Sequence, residues 1–120
     1  MLKTLAAVAV AAIAFASPAM AQSVAGNYAY NGTDTDGSKY EGPGTVVVKP
    51  AASGAYDVVW DGGSYLGVGQ VTGNVFAVAS VADGKNSIML FDINPDGSLS
   101  GKWWRRADKG KGGTEVWTKK

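Results

Sequence analysis

No stretch from residue 26 to residue 118 carries apolar side chains at helical spacing. The apolar residues recur every second position, and glycine or an Asp-Gly pair interrupts them at short intervals. Residues 55–61 show this most clearly: Tyr56, Val58 and Trp60 alternate with Asp57, Val59 and Asp61. The same reading gives strands over 26–32, 40–49, 65–72, 75–81, 87–93, 99–106 and 114–118. On them Tyr28 and Tyr30 share one face, and Val46 and Val48 share another. The breaks fall at Asp36-Gly37, Ser53-Gly54, Gly62-Gly63, Gly73-Asn74, Asp83-Gly84 and Asp96-Gly97, the residues that tight turns require. Sequential strands with short connections pair antiparallel as a meander, and a twisted meander removes its free edges by closing. The expected fold is therefore all-β: eight antiparallel strands forming a small up-and-down barrel. A sandwich of the same strands is the alternative. Tyr56, Val58, Trp60, Met89, Phe91, Ile93 and Trp103 are the expected core.

Glycines at strand-face spacing, Gly42 and Gly44, Gly67 and Gly69, and Gly101, weaken a strand unless a neighbouring ring needs the space. Small barrels alternate small and large residues inside. Tyr56, Trp60 and Trp103 are the rings assigned to these gaps.

The start of the chain reads differently. Lys3 gives a positive opening, residues 5–15 are apolar, Pro18 breaks any helix, and Ala19-Met20-Ala21 is a small-x-small cleavage pattern. Residues 1–21 are expected to be a signal peptide cut between Ala21 and Gln22. The protein would then be periplasmic or extracellular, with residues 22–120 forming a single domain. The apolar run is short for a membrane span, and no later run reaches spanning length.

The chain has no cysteine and no histidine. That excludes a disulfide scaffold, a Ser-His-Asp or Cys-His centre, and the common zinc and copper ligand sets. Asp34, Asp36, Asp83 and Asp96 lie in turns, where aspartate caps backbone N–H groups. Residues 34–45 resemble a calcium loop only superficially, because its glycine and glutamate positions hold Lys39 and Thr45. No catalytic residue, metal or cofactor is assigned. Asp57, Asp61 and Asp92 are expected to face solvent, and Glu115 to form an exposed cross-strand ion pair with Arg105 or Arg106.

Charge is uneven along the chain. Residues 22–101 hold three lysines against eight acids, whereas residues 102–120 hold seven basic residues against Asp108 and Glu115. Trp103 and Trp104, adjacent on a strand, must point to opposite faces. If Trp103 faces inward, Trp104 is an exposed ring among cations, which suits a sugar ring, a protein hot spot or an anionic amphiphile. The candidate binding site is accordingly Lys102, Trp104, Arg105, Arg106, Lys109 and Lys111. A net charge near zero argues against nucleic acid.

The pattern of Gly26-x-Tyr28, Asp36-Gly37-Ser38-x-Tyr40-x-Gly42, Tyr56-x-Val58-x-Trp60, Gly67-x-Gly69, Asp96-Gly97-x-Leu99-x-Gly101-x-Trp103 and Gly113-Thr114-Glu115 spans nearly all of residues 22–120. It resembles a group of small secreted proteins of Gram-negative bacteria often labelled as fibronectin-binding. The layout is also similar to avidin and lipocalin barrels, with Tyr28 where lipocalins open on tryptophan. No counterpart of the polar set that holds biotin is present. The expected function is a non-enzymatic binding module: the resemblance implies an extracellular-matrix protein as partner, and the basic aromatic patch also suits an envelope protein or a polysaccharide. A small-ligand carrier and a filled structural or inhibitory barrel are the alternatives.

Overall fold

The computed structural model describes residues 23–82 and 84–120. The expected signal peptide and the Asp83 turn position lie outside the described residues. Eight strands run in chain order: β1 (Gly26–Thr33), β2 (Gly44–Pro50), β3 (Tyr56–Trp60), β4 (Tyr65–Thr72), β5 (Val75–Ala82), β6 (Lys85–Ile93), β7 (Leu99–Arg105) and β8 (Gly112–Lys119). Each pairs antiparallel with the next, and β8 returns to β1 with Tyr30 opposite Trp117, so the barrel is closed. Closure satisfies the backbone donors and acceptors that an open sheet would leave along its edges.

The alternation decides what is inside. Val58, Trp60, Met89, Phe91 and Trp103 are buried, and Tyr56 and Ile93 pack against them half-buried. Trp117 is the hub of the core. Its ring lies 4.4 Å from Phe91, 5.6 Å from Tyr28, 5.8 Å from Trp60 and 6.2 Å from Phe76 between centroids. These tilted and edge-on contacts suit aromatic quadrupoles.

Glycine supplies the room for the rings. A Cβ on Gly67 would meet Trp60, one on Gly69 would lie 2.6 Å from Phe76, and one on Gly101 would lie 2.7 Å from Phe91. Gly113 gives the same space to Trp103, and Gly44 gives it to Tyr30. The small-large packing expected from sequence is present, but of the three assigned rings only Trp60 fills an expected gap. Phe76, Phe91 and Tyr30 are the rings at Gly69, Gly101 and Gly44, Trp103 packs on Gly113, and Tyr56 is the nearest ring to none of them. Gly42 differs, since it sits in a bend at φ +58° and on no strand.

Three boundaries depart from the alternation. Strand β2 begins at Gly44, not at residue 40, because Gly42 takes a left-handed conformation and Pro43 has no N–H for a ladder. Residues 39 and 40 return instead to the end of β1: Lys39 bridges to Thr33, and the Tyr40 N–H donates to the Gly32 carbonyl at 2.9 Å. Strand β7 stops at Arg105, and a 3₁₀ turn follows over Arg106–Asp108. The aspartate turns are as expected. Asp36 accepts from the N–H and hydroxyl of Ser38, and Asp96 does the same for Ser98. Those bonds to the ionised form hold both carboxyls below the ordinary aspartate value.

The connections of a meander alternate between the two barrel ends. The β2–β3, β4–β5 and β6–β7 turns share one end with the chain's entry. That end is plugged: Val24 is fully buried, and the Tyr28 hydroxyl donates to its carbonyl at 2.7 Å. The β1–β2, β3–β4, β5–β6 and β7–β8 connections surround the other end, which is open.

Candidate functional site

The open end is a recess of about 510 Å³. Its walls are the last inward residues of the strands, including Tyr30, Trp60, Met89, Trp103, Arg105 and Glu115, and its rim carries Asp34, Glu41, Asp61, Tyr65 and Lys85. Tyr40 comes in from the long β1–β2 connection. Gly32 makes this possible, because a Cβ there would lie 2.7 Å from the Tyr40 ring. Tyr40 then stands edge-on to Tyr30 at 6.1 Å.

Glu115 lies at the floor, only 5% exposed. One carboxylate oxygen, Oε1, accepts from Trp117 Nε1 at 2.8 Å and Trp60 Nε1 at 3.0 Å. The other, Oε2, accepts from the Tyr40 hydroxyl at 3.2 Å. Burial pushes its carboxyl above the ordinary value, while the three donors and nearby Asp61 pull in opposite directions, the donors lowering it and Asp61 raising it. The expected ion pair between Glu115 and Arg105 or Arg106 is therefore overturned. The pleat places Gly113, Glu115 and Trp117 on one face, so a core tryptophan at 117 brings Glu115 inside with it.

Asp61 is exposed, as expected, but it also has a place at the mouth. It leaves β3 at φ +50°, and its carboxylate turns over the mouth, where it accepts from the Tyr30 hydroxyl and, at 3.0 Å, from the Thr45 N–H. Asp57 and Asp92 are exposed, as expected. Burial raises the phenols of both Tyr30 and Tyr40, and Asp61 and Glu115 respectively add to the effect, so both tyrosines stay protonated donors.

The indole N–H of Trp103 is buried and makes no hydrogen bond. It lies near the Tyr40 hydroxyl without meeting it in bonding geometry. A buried donor without a partner is costly, and a ligand atom or water in the recess would relieve it.

The six residues of the expected basic site divide between two faces. Arg105 points to the inner side of the mouth. Its guanidinium lies 4.9 Å above the Trp103 ring, with Nε 2.7 Å from Asp108 and one terminal nitrogen 3.9 Å from Asp34. Lys102 and Trp104 point outward from β7, and Arg106, Lys109 and Lys111 are exposed on the β7–β8 connection. The structure thus brings five of the six together outside the barrel and assigns Arg105 to the recess.

Tyr30, Tyr40, Asp61 and Glu115 had no place in the expected site. For Glu115 the signal was the two-residue spacing to Trp117. Tyr40 and Asp61 are positioned by left-handed backbone and a long connection, for which alternation gives no rule. Among the described residues no cluster of carboxylates has metal-binding geometry, and no helix is long and apolar enough to cross a membrane. Compared with family models, curated proteins and solved structures, the chain matches none.

Proposed function

We propose that the chain is a secreted, non-enzymatic binding protein that takes a small organic cation into the open mouth of its barrel. The observation that carries this reading is the recess itself: a pocket of about 510 Å³ in which aromatic rings and several convergent polar groups share the wall. Five aromatic residues line it, Tyr30, Tyr40, Trp60, Tyr65 and Trp103. The carboxylates of Asp34, Glu41, Asp61 and Glu115 outnumber the cations of Lys85 and Arg105. Arg105 is already matched by Asp34 and Asp108. Aromatic faces and surplus carboxylates both favour a cation. The free Trp103 N–H adds a place for an acceptor on the same ligand. Glu115 has both oxygens engaged by donors, which suits a fixed counter-charge better than a nucleophile or base.

Trp60 and Trp103 report on the recess by fluorescence. Three probes share one ring and differ in charge: tyramine, p-cresol and 3-(4-hydroxyphenyl)propionate. Tyramine should quench most strongly and raise the melting temperature by mass action. The uncharged probe should bind more weakly, and the anion weakest. Equal affinities, or preference for the anion, would overturn the assignment.

A further inference from the structure

The outer face of the barrel carries a second feature that the mouth does not explain. Four outward residues stand in register across β4 to β7: Val68 opposite Ala79, Ala79 opposite Ile88, and Ile88 opposite Trp104. Leu66 opposite Val81 and Ala77 opposite Leu90 widen this row into a belt. The belt is open to solvent, with Leu66 57%, Ile88 56%, Val81 53% and Val68 51% exposed. A contiguous apolar patch of this kind is uncommon on a monomer's surface without a purpose. Beside Trp104 the belt sinks into a shallow groove of about 860 Å³, bounded by the β7–β8 connection at Arg106 and Gly110.

Cations flank the same side. Lys102 stands opposite Leu90, Arg106 lines the groove, and Lys109 and Lys111 bracket Gly110, all of them exposed. Asp57, across from Val68 on the far flank, is itself opposite Lys49. Asp108, in the same connection as the cations, is engaged by Arg105.

We infer that this face docks on an anionic lipid bilayer, with the aliphatic belt and Trp104 entering the interface and Lys102, Arg106, Lys109 and Lys111 meeting the headgroups. The chemistry selects this occupant over two others. Protein interfaces are enriched in aromatic residues and depleted in lysine, whereas this belt is aliphatic apart from Trp104 and three of its four flanking cations are lysines. A second copy would bring two sets of four cations to one interface, against only Asp57 and, next to Leu90 on β6, Asp92 from each copy. A bilayer supplies an apolar layer beneath an anionic one and accepts a convex surface, and long cationic side chains reach its headgroups. The barrel lies on the membrane and does not span it. Its core is apolar, and the outer face of β1, β2 and β8 carries Asn27, Asn31, Lys49, Thr114 and Thr118 exposed.

The test is co-sedimentation of the chain from Gln22 onward, which holds all eight strands and the core, with phosphatidylcholine vesicles with and without phosphatidylglycerol. Phosphatidylglycerol should raise the bound fraction by at least about tenfold, and high salt should reverse the gain. Ile88→Asp should lose binding while its circular dichroism, melting temperature and tyramine affinity stay native, since the side chain points away from both core and mouth. Replacing Lys102, Arg106, Lys109 and Lys111 together with glutamate should remove the dependence on phosphatidylglycerol. Absence of binding to either vesicle would overturn the inference, as would an unchanged bound fraction in folded Ile88→Asp. So would a dimer in light scattering that Ile88→Asp dissolves, because the belt would then be the contact between two copies.

Discussion

The two ends of this barrel are built from the same eight strands and differ in what their inward positions hold. At the plugged end the pleat delivers Tyr28, Val48, Phe76, Phe91 and Leu99, all buried and sealed by Val24. At the open end it delivers Tyr30, Ser80, Ser87, Arg105 and Glu115. Changing the residue at every second position near one rim, with the backbone topology unchanged, turns a sealed core into a polar recess. Stability should therefore reside mainly in the plugged half and recognition in the open half.

The strongest test of that division is Trp117→Ala. Trp117 touches four aromatic partners and anchors Glu115, so its removal leaves a cavity in the middle of the plugged half. A loss of about 3–5 kcal/mol is expected in denaturant unfolding, out of roughly 5–15 kcal/mol for a domain of this kind. A loss below about 1 kcal/mol would mean that the core does not depend on this hub.

Glu115→Gln comes next, at about 1–3 kcal/mol, because the charge that the three donors face is lost: the amide oxygen can still accept from both indoles, but an NH2 group replaces Oε2 and Tyr40 must accept where it donated. Its sign with pH is informative. Burial raises the folded-state carboxyl above 4.5, so between that value and the raised one the folded protein binds more protons than the unfolded chain. Wild-type stability from this group should fall as pH rises through that window. Glu115→Gln lacks that slope, so the gap between the two proteins should narrow with rising pH. A gap that widens would show that the three donors outweigh burial.

These two residues also show how far the sequence could be read. Trp60 sits inward in the clearest alternating run, whereas Met89, Phe91 and Trp103 have apolar neighbours on the other face, Ile88, Leu90 and Trp104, and their period-two spacing alone sets them inward. Glu115 was misplaced because two arginines a short hairpin away offered a simple surface partner. The competing fact, Trp117 two residues on, became decisive only once Trp117 was known to be central. Val24 precedes the first strand and belongs to no period. The recess draws on side chains from Tyr30 to Glu115 and on the folded-back Tyr40, so its geometry comes from closure and from left-handed residues at 42 and 61. Neither is a local pattern.

Val24→Ala probes the plug more gently. It removes two buried methyl groups and keeps the backbone carbonyl that accepts from Tyr28, so about 1.5 kcal/mol should be lost. Tyramine binding at the opposite end should not change. Weakened binding in this variant would mean that the two ends are coupled through the core and that the division of labour is incomplete.

Arg105→Gln should have the smallest effect on stability and is the most direct test of the open end. The arginine side chain is 30% exposed and its ion pairs with Asp108 and Asp34 are solvent-screened, so the melting curve should move by less than about 1 kcal/mol. Its charge, however, stands over the Trp103 ring at the lip of the recess. Removing it frees Asp34 and takes away a like charge that a cationic ligand must approach. Tyramine affinity should rise by up to about tenfold, while p-cresol, which has no charge to repel, should bind as before. If both probes change together, Arg105 acts by shaping the Trp103 wall. If tyramine weakens alone, the mouth favours anions, and the surplus of carboxylates around it does not set its preference.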